Sequence, residues 1–563
     1  MINSIVDCNL LLYFLYMRTR NTEKFKETIR KSKFSAPAKK SPTAWHSWYM
    51  RNIIATQRVG LPIPPDPAEK FYYDQKSQKW QIFWQILSCI GIITSFLTFS
   101  SNNLLTNLFY LPTAFFVLFS LVSLATLIPA GGEWDFELHA DRVGLFRKSI
   151  HLPSVDVFLP SAGEDLAVLE NTYRWVSELD WPLDKLEIYV LDDSDRLEVA
   201  RLAELHGFNY LVRPNRGYLK KAGNLLYAFK RSHGDLIAIF DADFVPSADF
   251  LYEIGHYFEN PNIGIVQSPQ FFDTDATMNW IQRTAGSVQE LFYRAIQVSR
   301  SKIGSPICCG TSAVYRRAAL EEAGGFVQIE HSEDVYTGIA LRRQGYKTIY
   351  VPAVLTKGLC PDGAKAFFNQ QYRWCAGSMT LMRDPDFWRA KMPIMQRLCY
   401  ISGFLYFMFT AVWLFLGYVP VLTMIFFLPN QVKLMNYLPL VPCMIYAWII
   451  QPNWHRSKYG FEVQSIRALT AYAHFFAIKD IFTNNLQGWI PTGEAGVSTD
   501  RFSFFREINL IWGSITCSVM LVGPIARVVF QGYAWYNWLG IFIFGLLSAS
   551  VFVKVHQAPG SGK

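Results

Sequence analysis

The sequence predicts a membrane helical bundle joined to an α/β domain with Rossmann-like parallel strands. No charged residue lies between Trp80 and Gly132, and the region after it alternates short apolar runs with amphipathic stretches. A chain of 563 residues that is 51% hydrophobic and 16% aromatic fits this division better than one soluble core.

Residues 1–79 form a basic region. The first 80 residues hold fourteen Lys/Arg against six Asp/Glu, a balance suited to anionic lipid or to retention on the cytoplasmic side rather than to nucleic acid. Residues 2–17 are apolar but short and interrupted by Asp7, so a helix lying on the membrane surface is expected there. Because about 20 apolar residues cross the hydrocarbon, residues 80–132 hold two spans, 80–99 and 106–129, turning at Ser100–Asn103. Residues 398–455 hold two more (398–432 and 434–455), and 508–556 a further two (509–526 and 528–553). With six spans, the basic tail, the central domain and the 456–507 segment (Arg456, Lys458, Arg467, Lys479, Arg501, Arg506) fall on one side. Only Lys433 and Arg527 mark the later hairpins on the other side, so the termini and the central domain are expected in the cytoplasm of an integral membrane protein. Nine scattered cysteines without CxxC spacing agree with reduced thiols there.

Strands are expected at Val155–Leu159, Leu186–Leu191, Asn209–Val212 and Leu236–Phe240, within a domain covering 150–357. Ligands of open α/β sheets collect at strand carboxyl ends, where Asp192, Asp193, Asp241 and Asp243 lie. Strand alternation would send Asp241 and Asp243 to one face, where they suit a hard divalent cation bridging phosphate oxygens; a solvated turn is the plain alternative. Lys221, beside Gly223 at a helix start, suits a diphosphate or a surface position equally. Glu333 and Asp334 open a helical pattern, as caps or as a general base. In the amphipathic segment 358–397, Gln370, Arg373 and Trp374 share a helix face. Arginine can pair a departing diphosphate, and the indole can stack on a sugar ring or sit in a membrane belt. Residues 465–486 read as an interfacial amphipathic helix leading into the loop Gly488–Gly493, a movable flap or an inert connector.

In order along the chain, Pro182-Leu-Asp-Lys-Leu, Lys221-Ala-Gly-Asn224, Asp241 with Asp243, Cys309-Gly310-Thr311, Gly324-Gly325-Phe326, Glu333-Asp334 and Gln370-x-x-Arg373-Trp374 make the sequence resemble cellulose synthase and cellulose-synthase-like processive family 2 glycosyltransferases. The resemblance implies a GT-A domain that binds a donor nucleotide through Ser161, Glu164, Asp192, Asp193, Lys221, Asp241, Gln370 and Arg373. It further implies Mg2+ or Mn2+ on Asp241 and Asp243, catalysis by Asp334 with Glu333, an acceptor site at Cys309, Gly310 and Trp374, and a gating loop carrying Trp489 and Thr492. The implied reaction polymerises UDP-glucose with inversion into a β-1,4 or mixed β-1,3/1,4 glucan, which leaves through a channel in the spans, with room for a homo-oligomer or accessory subunits. A chitin- or hyaluronan-type synthase using UDP-N-acetylglucosamine, a non-processive lipid-linked transferase, and an inactive transporter or scaffold are the alternatives. The chain departs from the family pattern at Ser194 and Ser332, and its flap lacks the usual lysine. No domain follows the last span here, so cyclic-di-GMP regulation is not expected.

Overall fold

The computed structural model describes residues 60–73, 78–101, 103–131, 134–272, 274, 277–455, 459–488 and 500–560. The expected surface helix at 2–17 and the loop residues Trp489 and Thr492 lie outside the described residues.

A seven-stranded sheet has the order β3-β2-β1-β4-β8-β6-β9. Its first half is as the sequence pattern predicts: β1 (Val155–Ser161), β2 (Leu186–Asp192), β3 (Asn209–Leu211) and β4 (Leu236–Ile239) run parallel. These strands are mostly apolar because helices and loops cover much of both faces; Val157, Phe158, Val190, Ile237 and Ile239 are fully buried. Each such side chain contributes roughly 1.5–3 kcal/mol of burial. The second half corrects the parallel expectation. β8 (Ala313–Arg316) runs antiparallel to both β4 and β6 (Ile263–Gln267), while β9 (Lys347–Tyr350) pairs parallel with β6. A smaller sheet joins β5 (Phe244–Pro246), β10 (Thr356–Gly358) and β7 (Phe271–Phe272).

Among the described residues, six helices are long and apolar enough to span a membrane: Lys79–Ser100, Thr106–Leu127, Ile394–Phe426, Leu434–Trp454, Arg501–Gln531 and Trp535–His556. The third bends after Leu416, where Gly417 and Pro420 interrupt it, and the fourth is a chain of 3-10, α and π turns around Pro439, Pro442 and Pro452. The last hairpin differs from expectation. Arg527 lies inside the fifth span, where it donates to the carbonyls of Ile425 (2.8 Å) and Phe426 (3.3 Å) at the end of the third, and the turn falls instead at Gly532, whose φ is +70°.

The segment expected to lie amphipathically on the membrane is a helix, Val463–Phe482, but it is enclosed. It packs with the Ala364–Arg383 helix and the start of the third span in one core containing Phe368, Tyr372, Phe404, Leu469, Tyr472 and Phe476. Two of its three charges have interior partners, Arg467 donating to Gln451 (2.5 Å) and Asp480, 1% exposed, pairing with Arg501, while Lys479 is exposed. Polar residues that look solvent-facing in sequence are here interior partners.

Candidate active site

The chain reverses direction across the sheet between β1 and β4, so the crevice at their carboxyl ends is a topological switch point. Ser161 and Asp192 stand opposite each other at the ends of β1 and β2, and Asp241 follows β4. β8 is antiparallel, so its leading residues, Cys309 to Ser312, arrive at the same edge; Ser312 N–H donates to the Ile239 carbonyl (2.9 Å).

Asp241 and Asp243 are gathered by a turn rather than by strand alternation: Phe244 N–H donates to the Asp241 carbonyl (3.0 Å). The Thr172 hydroxyl holds the turn at the Ala242 carbonyl (2.7 Å), and the Thr311 hydroxyl accepts from Asp241 N–H (2.8 Å). Lys221, in the first turn of the Lys220–Phe229 helix, pairs with Asp241 and donates to the Gly310 carbonyl (3.0 Å). Burial alone would lower the Lys221 ammonium, but Asp241, then Glu333 and Asp334, outweigh it and hold it above its ordinary value.

The Glu333–Arg343 helix places Glu333 and Asp334 in its first turn, beside this cluster. Asp334 lies against Gly310, since a Cβ there would stand 2.9 Å from the Asp334 carboxylate. Burial pushes both carboxyls upward; Glu333 adds to the rise at Asp334, and Lys221 opposes it. From the Ala364–Arg383 helix, Arg373 completes the set. Burial lowers its guanidinium to about 10, against the opposing pull of Asp241, Asp243 and Glu333, so it stays charged. Glu164, after β1, accepts from Ala162 N–H (2.6 Å), and burial raises its carboxyl.

Asp192 and Asp193 are placed differently from the rest. Asp192 is fully buried and accepts from Ser194 N–H (2.9 Å), Arg196 N–H (2.8 Å), the Tyr210 hydroxyl (2.9 Å) and, at 3.4 Å, buried Ser161. Asp193 holds Arg213 bidentately, at 2.6 and 2.7 Å, and accepts from Gly217 N–H (3.1 Å). Any nucleotide contact through these carboxylates has to be shared with these partners. Arg213 is 1% exposed and has no signature in sequence. Gln267 likewise has no signature in sequence; its amide accepts from Cys309 N–H (2.8 Å) and donates to the Thr311 carbonyl (2.8 Å), fixing the Cys309–Gly310 turn. Gln370 is buried and Trp374 half-buried on the helix that carries Arg373.

Among the described residues no group of three or more His, Cys, Asp and Glu side chains could hold a metal by itself. The donor set nevertheless fits a hard divalent cation that also takes phosphate oxygens. Burial, then Asp241 and Glu164, push Asp243 up to about 7. A cluster of carboxylates that suppresses its own ionisation is short of positive charge, and a diphosphate would deepen that shortage.

A mixed α/β domain with an acidic pair at its switch point, joined among the described residues to six helices able to span a membrane, fits the class of membrane-integrated GT-A folds. Residues 236–451 match the family Glycosyl transferase family group 2. The chain is 35% identical over 262 residues to a UDP-forming cellulose synthase catalytic subunit of Xanthomonas axonopodis pv. citri, covering 46% of this chain and 36% of that one. It is 32% identical over 343 residues to the UDP-forming cellulose synthase 1 catalytic subunit of Komagataeibacter xylinus, covering 60% and 46%. In both, the match spans less than half of the relative's length. A solved mannosyltransferase from Pyrobaculum calidifontis, in complex with GDP-Man and Mn2+, overlays 65% of this chain and 99% of its own at 20% identity, with a TM-score of 0.42. Over the matched residues the chain is similar to the cellulose-synthase-like family 2 glycosyltransferases.

Proposed function

We propose that the chain polymerises UDP-glucose, with inversion, into a β-1,4 or mixed β-1,3/1,4 glucan and passes the polymer through its own spans. The observation that carries this reading is the convergence of Lys221, Asp241, Asp243 and Arg373 on the turn holding Asp334. Lys221 and Arg373 would hold the donor diphosphate. Asp334 would take the proton of the acceptor hydroxyl as its oxygen attacks the anomeric carbon, and the bond from that carbon to the diphosphate breaks to release UDP. Attack from the face opposite the leaving group turns an α-linked donor into a β-linked product. Asp241 and Asp243 would hold Mg2+ or Mn2+, which supplies charge neutralisation on the departing diphosphate. Trp374 would offer an aromatic plane for the acceptor terminus, with Cys309 and Gly310 as the further acceptor residues. The Lys/Arg distribution supports a cytoplasmic catalytic domain.

A glucan path is supported by buried polar atoms without hydrogen-bond partners on and beside the spans: Gln81 Oε1, Gln85 Oε1, Ser120 Oγ, the Tyr472 hydroxyl and His474 Nε2. Apolar packing alone does not explain such atoms, because each costs free energy unless a polar partner meets it.

The purified chain in lipid nanodiscs, given Mn2+ or Mg2+ and a panel of UDP-sugars, should release UDP from UDP-glucose in preference to UDP-N-acetylglucosamine. Linkage analysis of the insoluble product should give 4-linked or mixed 3- and 4-linked glucose. Release of UDP from no donor, or only from UDP-N-acetylglucosamine, would sink the reading.

A further inference from the structure

Ser332 has φ +57° and ψ 42°, a left-handed backbone that is strained for a residue with a side chain. It directly precedes Glu333 and Asp334, so its dihedrals set the direction in which both carboxyls leave the chain. It is the N-cap residue of their helix, yet its side chain makes no capping hydrogen bond. What holds it lies across the site, on the helix that carries Arg373. A Cβ built on Gly377 would overlap the Ser332 hydroxyl and stand 2.5 Å from its Cβ, so the two residues touch only because position 377 is glycine. The hydroxyl could rotate away, but the Cβ cannot move without its backbone. On the other side of the same turn, Gly310 leaves the space that Asp334 fills. The Ser332–Asp334 turn is therefore seated between two glycines, one from the leading edge of β8 and one from the Ala364–Arg383 helix.

We propose that Gly377 is a positioning residue: as the seat for Ser332 it fixes the distance between the Arg373 helix and the Glu333–Asp334 turn, and so registers the base against the diphosphate-holding groups. This rests on the function proposed above. Gly377 touches neither reacting group and acts through Ser332. A backbone hydrogen bond also favours a rigid turn, since Tyr336 N–H donates to the Ser332 carbonyl at 3.2 Å. Relieving a 2.5 Å carbon–carbon approach needs a displacement of about 1 Å, and a misplacement of that size at a reacting group costs about 100-fold in rate.

The test uses the full chain in nanodiscs and compares wild type, G377A, S332G and the S332G/G377A double variant. UDP release at saturating donor, donor KM, UDP affinity by calorimetry and thermal midpoint are measured for each. G377A should lose 30- to 100-fold in kcat, with donor KM and UDP affinity within about twofold of wild type. In the double variant the Ser332 side chain is gone and glycine accepts the left-handed backbone, so most of the lost kcat should return. A G377A chain with wild-type kcat overturns the assignment. So does a loss that S332G fails to restore, or a fall in UDP affinity that matches the fall in kcat. If G377A does not fold, the double variant decides: a folded, active double variant supports the seat, and an unfolded one overturns it. A wild-type chain that releases UDP from no donor overturns the underlying function and this assignment with it, whereas an active wild type with an equally active G377A overturns this assignment alone.

Discussion

Asp334 is the residue whose environment best matches a task. A general base works when its affinity for protons approaches the working pH, and burial together with neighbouring Glu333 raises this carboxyl from the usual carboxylate range. Asp334→Asn keeps the shape and removes the base, so UDP release at saturating donor should fall by roughly 10² to 10⁴ while donor KM changes little. A near wild-type rate would remove Asp334 from the mechanism. The sign of the pH dependence follows from the same shift. The base is active only when unprotonated, so the rate should fall as pH drops through the raised value, with the acid limb well above pH 4. Asp243 adds a second, separable dependence. Its folded value of about 7 lies above its unfolded value, so its neutral form favours folding fully below the unfolded value and that contribution is lost as pH rises through about 7. A divalent cation binding there displaces the proton. The Mn2+-induced rise in thermal midpoint should therefore be larger at pH 8 than at pH 6, and an equal rise at both would remove Asp243 from the metal site. These acidic residues could be picked out in sequence as candidates, Asp243 by its strand-end position beside Asp241 and Asp334 by its place at the start of a helical pattern. The roles of Arg213 and Gln267 were not, because their partners lie 20 and 42 residues away and follow no period.

Among the elements, those with a clear period were readable and those defined by their surroundings were not. β1, β2 and β4 declare themselves as short, mostly apolar runs ahead of polar strand-end residues, whereas β8 enters the sheet antiparallel through pairing partners on either side. The Val463–Phe482 helix shows the reverse failure: Arg467 and Asp480 give it an amphipathic look, and only the fold supplies the interior partners that permit its burial. The loop between β3 and the Lys220–Phe229 helix illustrates what such hidden partners do. Arg213 anchors it to the end of β2 through Asp193, with the two side chains 1% and 7% exposed. Removing one member of a buried ion pair strands the other charge, at a cost of about 3–5 kcal/mol. Arg213→Met should therefore lower the thermal midpoint and weaken UDP binding together, because Lys221 sits at the far end of that loop. Loss of UDP binding at an unchanged midpoint would instead make Arg213 a ligand group.

At the scale of the whole molecule, catalysis and transport make separable demands. The cluster of Lys221, Asp241 and Asp334 lies at the carboxyl ends of the central strands β1 and β4, whereas the unsatisfied polar atoms of Gln81 and Gln85 belong to the first span, one helical turn apart, with the Gln81 amide donating to the Tyr446 hydroxyl of the fourth (3.2 Å). If these side chains face the sugar hydroxyls of a passing glucan, replacing both with leucine removes hydrogen bonds from the path without touching the site of transfer. A strand entering an apolar stretch would have to shed water from hydroxyls that gain no partner, which slows each advance. The Q81L/Q85L double variant should then transfer glucose to a short soluble cello-oligosaccharide at close to the wild-type rate, while long polymer accumulates several-fold more slowly and with shorter chains. Size distribution of the radiolabelled product, set against UDP release with the short acceptor, measures the two steps independently. Equal losses in both would mean that these glutamines support the fold or the active site. Unchanged polymer length with full activity would place the exit route elsewhere among the spans.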